Sequence, residues 1–149
     1  MRKFWMAVAL AGVLASGSLA AAQVTETAAA KAVFQVIQEV SQQHWGFITP
    51  DAALDYIDSV NPFILDVRTP KEWDDTGIIP GAVTIPLTEL EQHLNQLPAL
   101  SKPILVYCAA GARGQYALTY LKTLGYKNVK NLKGGFTAWA KAGLPVEKK

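Results

Sequence analysis

The feature that most restricts how this chain can fold is a short run that is apolar at every position, Pro103-Ile104-Leu105-Val106-Tyr107. Residues of almost no bulk follow it: Cys108-Ala109-Ala110-Gly111-Ala112, closed by Arg113. An apolar run without alternation reads as a strand buried on both faces. From Gly114 to Leu124 the pattern turns helical, with Ala117, Leu121 and Leu124 on one face. The same alternation recurs elsewhere. Residues 63–67, 82–85 and 129–132 read as further strands. Thr49-Pro50-Asp51 and the capping box Thr69-Pro70-Lys71-Glu72 open helices, and Thr88-Glu89-Leu90-Glu91 opens another that ends before Pro98. Ile79-Pro80-Gly81 is a turn, and Gly134-Gly135 leads into a last short helix around Trp139. Short strands alternating with helices predict one α/β domain, a parallel sheet with helices on both faces.

The first 22 residues read as a signal peptide: Arg2 and Lys3, an apolar stretch at 4–14, then Ala20-Ala21-Ala22 as a cleavage site. The apolar stretch is short for a membrane span, which needs about 20 residues. The expectation is therefore export to the periplasm, with no stable membrane insertion after cleavage. Without Arg2 and Lys3, the 14 basic residues of the whole chain fall level with its 12 acidic ones. The mature chain is near neutral and carries no nucleic-acid footprint. Residues 23–45 read as a linker over 24–30 and an amphipathic helix over 31–44, its apolar face Val33, Val36, Ile37 and Val40. That helix is expected to pack on the edge of a domain spanning 46–149, or to offer a partner surface.

Cys108 is the single cysteine. Free cysteine often only packs, and an exported chain more often pairs its thiols. Here the thiol sits where a strand–loop–helix unit aims backbone N–H groups and a helix N-terminus at one point. Such surroundings stabilise a thiolate. Gly111 permits the positive φ of a tight cradle, and Arg113 supplies a permanent cation to hold an anion or to tie the loop to a carboxylate. The expected site is thus a nucleophilic Cys108 cradled by Ala109, Ala110, Gly111, Ala112 and Arg113. His44 and His93 lie far apart in sequence and form no metal spacing with one cysteine. No metal and no cofactor are expected. Glu72 and Glu91 are accounted for by the two capping boxes, and Trp45, Trp73 and Trp139 by core or edge packing.

Five pieces in order carry a resemblance: Leu65-Asp66-Val67-Arg68, Ile79-Pro80-Gly81-Ala82, the cysteine loop, Asn131-Leu132-Lys133-Gly134-Gly135 with Trp139 behind it, and Ala142-Gly143-Leu144-Pro145-Val146. From about residue 48 to 146 the chain resembles a single rhodanese (sulfurtransferase) domain, and with the export signal it resembles the small periplasmic rhodaneses of the phage-shock type. The resemblance implies a five-stranded parallel sheet flanked by helices. It implies sulfur transfer from thiosulfate or a persulfide donor, through a Cys108 persulfide, to cyanide, a thiol or a protein acceptor. Arg113 matches the loop-closing arginine of the family, and Asp66 and Arg68 match residues that support the site, in structural terms a buried ion pair bracing two loops. Ala109 stands where thiosulfate-using members often carry a cation, and Ile78 where a histidine commonly precedes the turn. Lys130 and Lys133 are candidates to compensate, or plain surface lysines. Four residues separate Cys108 from Arg113, whereas related cysteine phosphatases use five to encircle a phosphate. Two other readings share the fold: a non-catalytic binding module, and a thiol redox partner in the periplasm.

Overall fold

The structure is a computed structural model that describes residues 25–149; the signal-peptide reading lies outside the described residues. Five strands form one sheet: β1 (Phe47–Ile48), β2 (Phe63–Asp66), β3 (Val83–Thr84), β4 (Ile104–Tyr107) and β5 (Val129–Leu132). Their order is β1-β5-β4-β2-β3, and every pair is parallel. Four of the strands lie within the predicted runs. β1, only two residues long, is too short to carry a pattern of its own, although the resemblance implied a fifth strand.

β4 is the middle strand, and all four of its side chains are buried. Because successive side chains point to opposite faces, its run feeds two cores. Ile104 and Val106, followed by Cys108, join Leu65, Ala117, Leu118 and Leu121 on one side. Leu105 and Tyr107 join Ile64, Leu132, Phe136 and Trp139 on the other. The first core is covered by α1 (Ala28–Gln42) and α4 (Ala112–Thr123), the second by α2 (Pro50–Val60) and α5 (Gly135–Lys141). α3 (Pro70–Thr76) lies between β2 and β3 in the chain.

Four expectations change. α1 begins at Ala28, inside the predicted linker, because Thr27 caps it: its Oγ1 accepts from the Ala30 N–H at 3.1 Å. Only Val36 and Val40 of its apolar face are buried; Val33 and Ile37 stay exposed on an open groove shared with Trp45 and Tyr116. Residues 87–96 form 3₁₀ turns broken at His93, not a capped helix. Thr88 lies inside this segment and makes no side-chain cap, the chain enters it through Pro86 instead, and the turns break at His93. Finally, α4 starts at Ala112 rather than Gly114, which places Arg113 in the first helical turn.

Leu105 is fully buried at the centre of the sheet. Leu105→Ala is expected to destabilise the protein by about 2–5 kcal/mol through lost transfer energy and a residual cavity, read as a lower urea midpoint at an unchanged slope.

Candidate active site

Cys108 lies one residue beyond the carboxyl end of the central strand, where open parallel sheets bind their ligands. Its side chain is 2% exposed, and its Sγ accepts a hydrogen bond from the Gly111 N–H at 3.1 Å. Gly111 makes this possible with φ of +108°, a conformation that side chains disfavour. It also serves as the N-cap residue of α4, so the sulfur lies at the amino end of a twelve-residue helix.

Three of the loop carbonyls are held away from the sulfur. The N–H of Phe136 donates to the Cys108 carbonyl at 2.7 Å, and that of Thr137 to the Ala109 carbonyl at 3.0 Å. The Gly111 carbonyl accepts from the Gln115 N–H and from the Asn131 side chain, both at 3.0 Å. In a trans peptide the N–H points opposite the C=O. The amides of Ala109, Ala110 and Ala112 are therefore turned away from α5 and Asn131. The start of α5 comes this close only because Gly135 has no side chain: a Cβ there would collide with the Cys108 carbonyl oxygen and stand 2.6 Å from the Ala109 carbonyl.

Arg113 is paired with a carboxylate. Its Nη1 and Nη2 donate to Glu72 Oε2 and Oε1 at 2.8 and 2.6 Å, a two-pronged pair spanning 41 residues of chain. Of the two uses open to Arg113, the tie to a carboxylate is the one observed. Glu72 is also bonded by Thr69, whose N–H and hydroxyl both donate to Oε2 at 2.9 and 2.8 Å. The capping box thus forms, and its glutamate carries a second task that the capping explanation missed. The pairing raises the Arg113 pKa, chiefly through Glu72, with the Cys108 thiol a smaller influence in the same direction. A cation in the first turn of a helix opposes the macrodipole, and Glu72 offsets that conflict.

Asp66 and Arg68 bind each other, at 2.7 Å between Arg68 Nη2 and Asp66 Oδ2, 2% and 0% exposed. The guanidinium also donates to Thr76 Oγ1 at 2.8 Å and to the Gly77 carbonyl at 2.7 Å, and stacks 4.0 Å from the Phe136 ring centre. This pair braces the end of β2 against α3 and α5. Burial pushes the Tyr107 phenol up, aided by the nearby Asp66 charge, so it stays neutral; its oxygen accepts from the Ile79 N–H at 3.0 Å. Lys133 is exposed and Lys130 half-buried on β5. Ile78 is buried, bonded through its backbone to Glu147.

The Arg113 hydrogen bond, reinforced by Thr69 against burial, lowers the Glu72 pKa from 4.5 to about 2. A depressed carboxylate stabilises the fold above its unfolded pKa, and the contribution fades as pH falls through the folded one. With about a third of each side chain exposed, solvent screening leaves about 1–2 kcal/mol. Glu72→Gln is expected to lose that much at neutral pH. In paired urea titrations, its gap to the unaltered protein should close between pH 4.5 and about 2; a gap independent of pH would remove the ion pair from the stability of the loop.

Comparison with known proteins places this geometry in a family. The rhodanese-like domain profile matches residues 49–142. A sulfurtransferase of Allochromatium vinosum is 37% identical over 89 residues, covering 60% of this chain and 81% of that protein. The crystal structure of a rhodanese-related protein from Thermoplasma volcanium superposes with a TM-score of 0.62 at 31% identity, over 68% of this chain and 97% of that one. A Rhodopseudomonas palustris protein of unknown function, described as a possible tyrosine phosphatase, superposes with a TM-score of 0.63 at 26% identity, over 84% of this chain and 97% of that one. With the profile spanning well over half its length and the sheet order and cysteine loop in place, the chain belongs to the rhodanese-like domain family.

Proposed function

We propose that the protein is an exported sulfurtransferase that carries sulfur as a persulfide on Cys108. Relatives named sulfurtransferases support the reaction type. The observation that carries the mechanism is the Gly111 N–H on the Cys108 sulfur, inside a loop in which the carbonyls of Cys108, Ala109 and Gly111 are held elsewhere. Donors already oriented at a sulfur that becomes anionic need no rearrangement during reaction, the logic of an oxyanion hole.

In the first step the Cys108 thiolate attacks the outer sulfur of a donor such as thiosulfate. A sulfur–sulfur bond forms to Cys108, the donor's own sulfur–sulfur bond breaks, and sulfite leaves with its electron pair. In the second step cyanide or an acceptor thiolate attacks the outer persulfide sulfur, and Cys108 leaves as thiolate. Each half-reaction conserves charge, and the two together give ping-pong kinetics. Asp66, Arg68 and Glu72 act by holding the loop. The apolar start of the chain supports a periplasmic setting.

The donor is more open than the chemistry. Ala109 offers no cation to a dianion, and both terminal nitrogens of Arg113 are bound to Glu72. This favours a persulfide donor over thiosulfate. The same commitment of Arg113, with four residues rather than five between it and Cys108, disfavours the phosphatase reading.

Thiosulfate or a small persulfide should raise the intact mass of the mature protein by one sulfur atom, lost again on adding cyanide or a thiol. Cys108→Ser should take up none and turn over nothing while keeping its fold. A gain with the persulfide alone would keep the chemistry and reject thiosulfate; a gain with neither would leave a binding role. Ala109→Arg should lower the apparent KM for thiosulfate about tenfold or more, since a charge-assisted contact contributes about 1.5–3 kcal/mol. Steady-state kinetics with an unchanged or higher KM would show that the donor does not pass over that residue.

A further inference from the structure

We propose that Asn131 is the positioning residue of the cysteine loop, holding the Gly111 carbonyl and through it the backbone angles of Gly111, so that the Gly111 N–H stays on the Cys108 sulfur. This rests on the sulfurtransferase reading only in taking Cys108 to react as an anion. Asn131 sits on β5, fully buried, opposite Val106 of β4. Its Nδ2 donates to the Gly111 carbonyl at 3.0 Å and to Gln115 Oε1 at 3.1 Å. Those two acceptors fix which way the amide points, because a turn of 180° would set its oxygen against two other oxygens.

The opposite end of the amide shows what this orientation costs. Asn131 Oδ1 is buried without a hydrogen-bond partner among the described residues. It lies against Gly114 of α4, where a Cβ would collide with it. An orphaned buried acceptor is destabilising, and an apolar side chain of similar volume would avoid it. What an amide supplies here, and an apolar side chain would not, is its two donated bonds. The Gly111 carbonyl already takes the first bond of α4 from the Gln115 N–H. The bond from Asn131 adds a second restraint from outside the helix and holds a glycine, the most flexible of residues, at the φ that aims its N–H at the sulfur. The charged groups around the loop, Arg113 on α4, Glu72 on α3 and the Asp66–Arg68 pair, are unaltered by a change at Asn131.

The experiment measures the alkylation rate of Cys108 by iodoacetamide against pH, in the full chain and in Asn131→Leu, with urea stability recorded in parallel. Asn131→Leu is expected to move the midpoint of the rate profile upward by about one pH unit, a tenfold slowing below the midpoint, while stability holds or rises. An unmoved midpoint would overturn the proposal, whatever the change in stability. Should Asn131→Leu fail to fold, Gly114→Ala displaces the amide without removing it; it should shift the midpoint the same way, and no shift would again overturn the proposal. Sulfur uptake by the unaltered protein is measured beside it. No uptake with a shifted midpoint rejects the sulfur-transfer reading and keeps the role of Asn131; uptake with an unmoved midpoint does the reverse.

Discussion

The arrangement around Cys108 depends on the capture of two carbonyl oxygens. The first amides of α5 bind the carbonyls of Cys108 and Ala109. Without that capture, the Cys108–Ala109 and Ala109–Ala110 peptides could turn either their N–H or their C=O toward the sulfur, and a carbonyl there would repel an anion. The capture requires α5 to come within contact of the loop, which Gly135 allows. It also requires α5 to be firmly seated, which the buried Phe136 and Trp139 provide in the second core. A packing decision on one face of the sheet thereby sets the electrostatics of a group that points to the other.

Two arginine–carboxylate pairs flank this core and differ in kind. Asp66 and Arg68 are withdrawn from water, and every terminal nitrogen of the guanidinium has a partner. Such a pair adds little net stability compared with an apolar substitute, but losing one partner strands the other. It fixes the positions of β2, α3 and α5 relative to one another. Glu72 and Arg113 are partly in water, and their pair closes the loop from outside. Both arginines are charge-paired with a carboxylate, Arg68 in the core and Arg113 at the edge of the loop.

Much of the fold was legible because β4 and its loop are extreme in composition. A fully apolar run followed by small residues admits few structures, and Cys108 at their junction marks the site. The small residues after the strand made a tight loop legible for the same reason, and Gly111 is the one whose N–H meets the sulfur. The partners that orient the cradle were not legible. Glu72 already had a sufficient local explanation as a capping residue, and its second partner lies 41 residues away. Asn131 and Gln115 are polar residues on elements whose pattern is set by their apolar neighbours, so nothing in periodicity singles them out. The 3₁₀ turns at 87–96 were misjudged because a capping motif states where a helix can start, and here the segment begins before Thr88, uncapped, and breaks at His93. α1 began early because Thr27 and the alanines after it favour a helix despite lacking periodicity.

The groups that hold the loop arrive at different times during synthesis. Glu72 precedes Cys108, but Asn131, Gly135, Phe136 and Thr137 all follow it. A nascent chain that has released β4 and α4 but not β5 contains the cysteine, its arginine and its helix, yet has nothing to claim the carbonyls of Cys108 and Ala109. The cradle around the sulfur is completed only by the last quarter of the sequence, and a truncation there would undo it without touching Cys108.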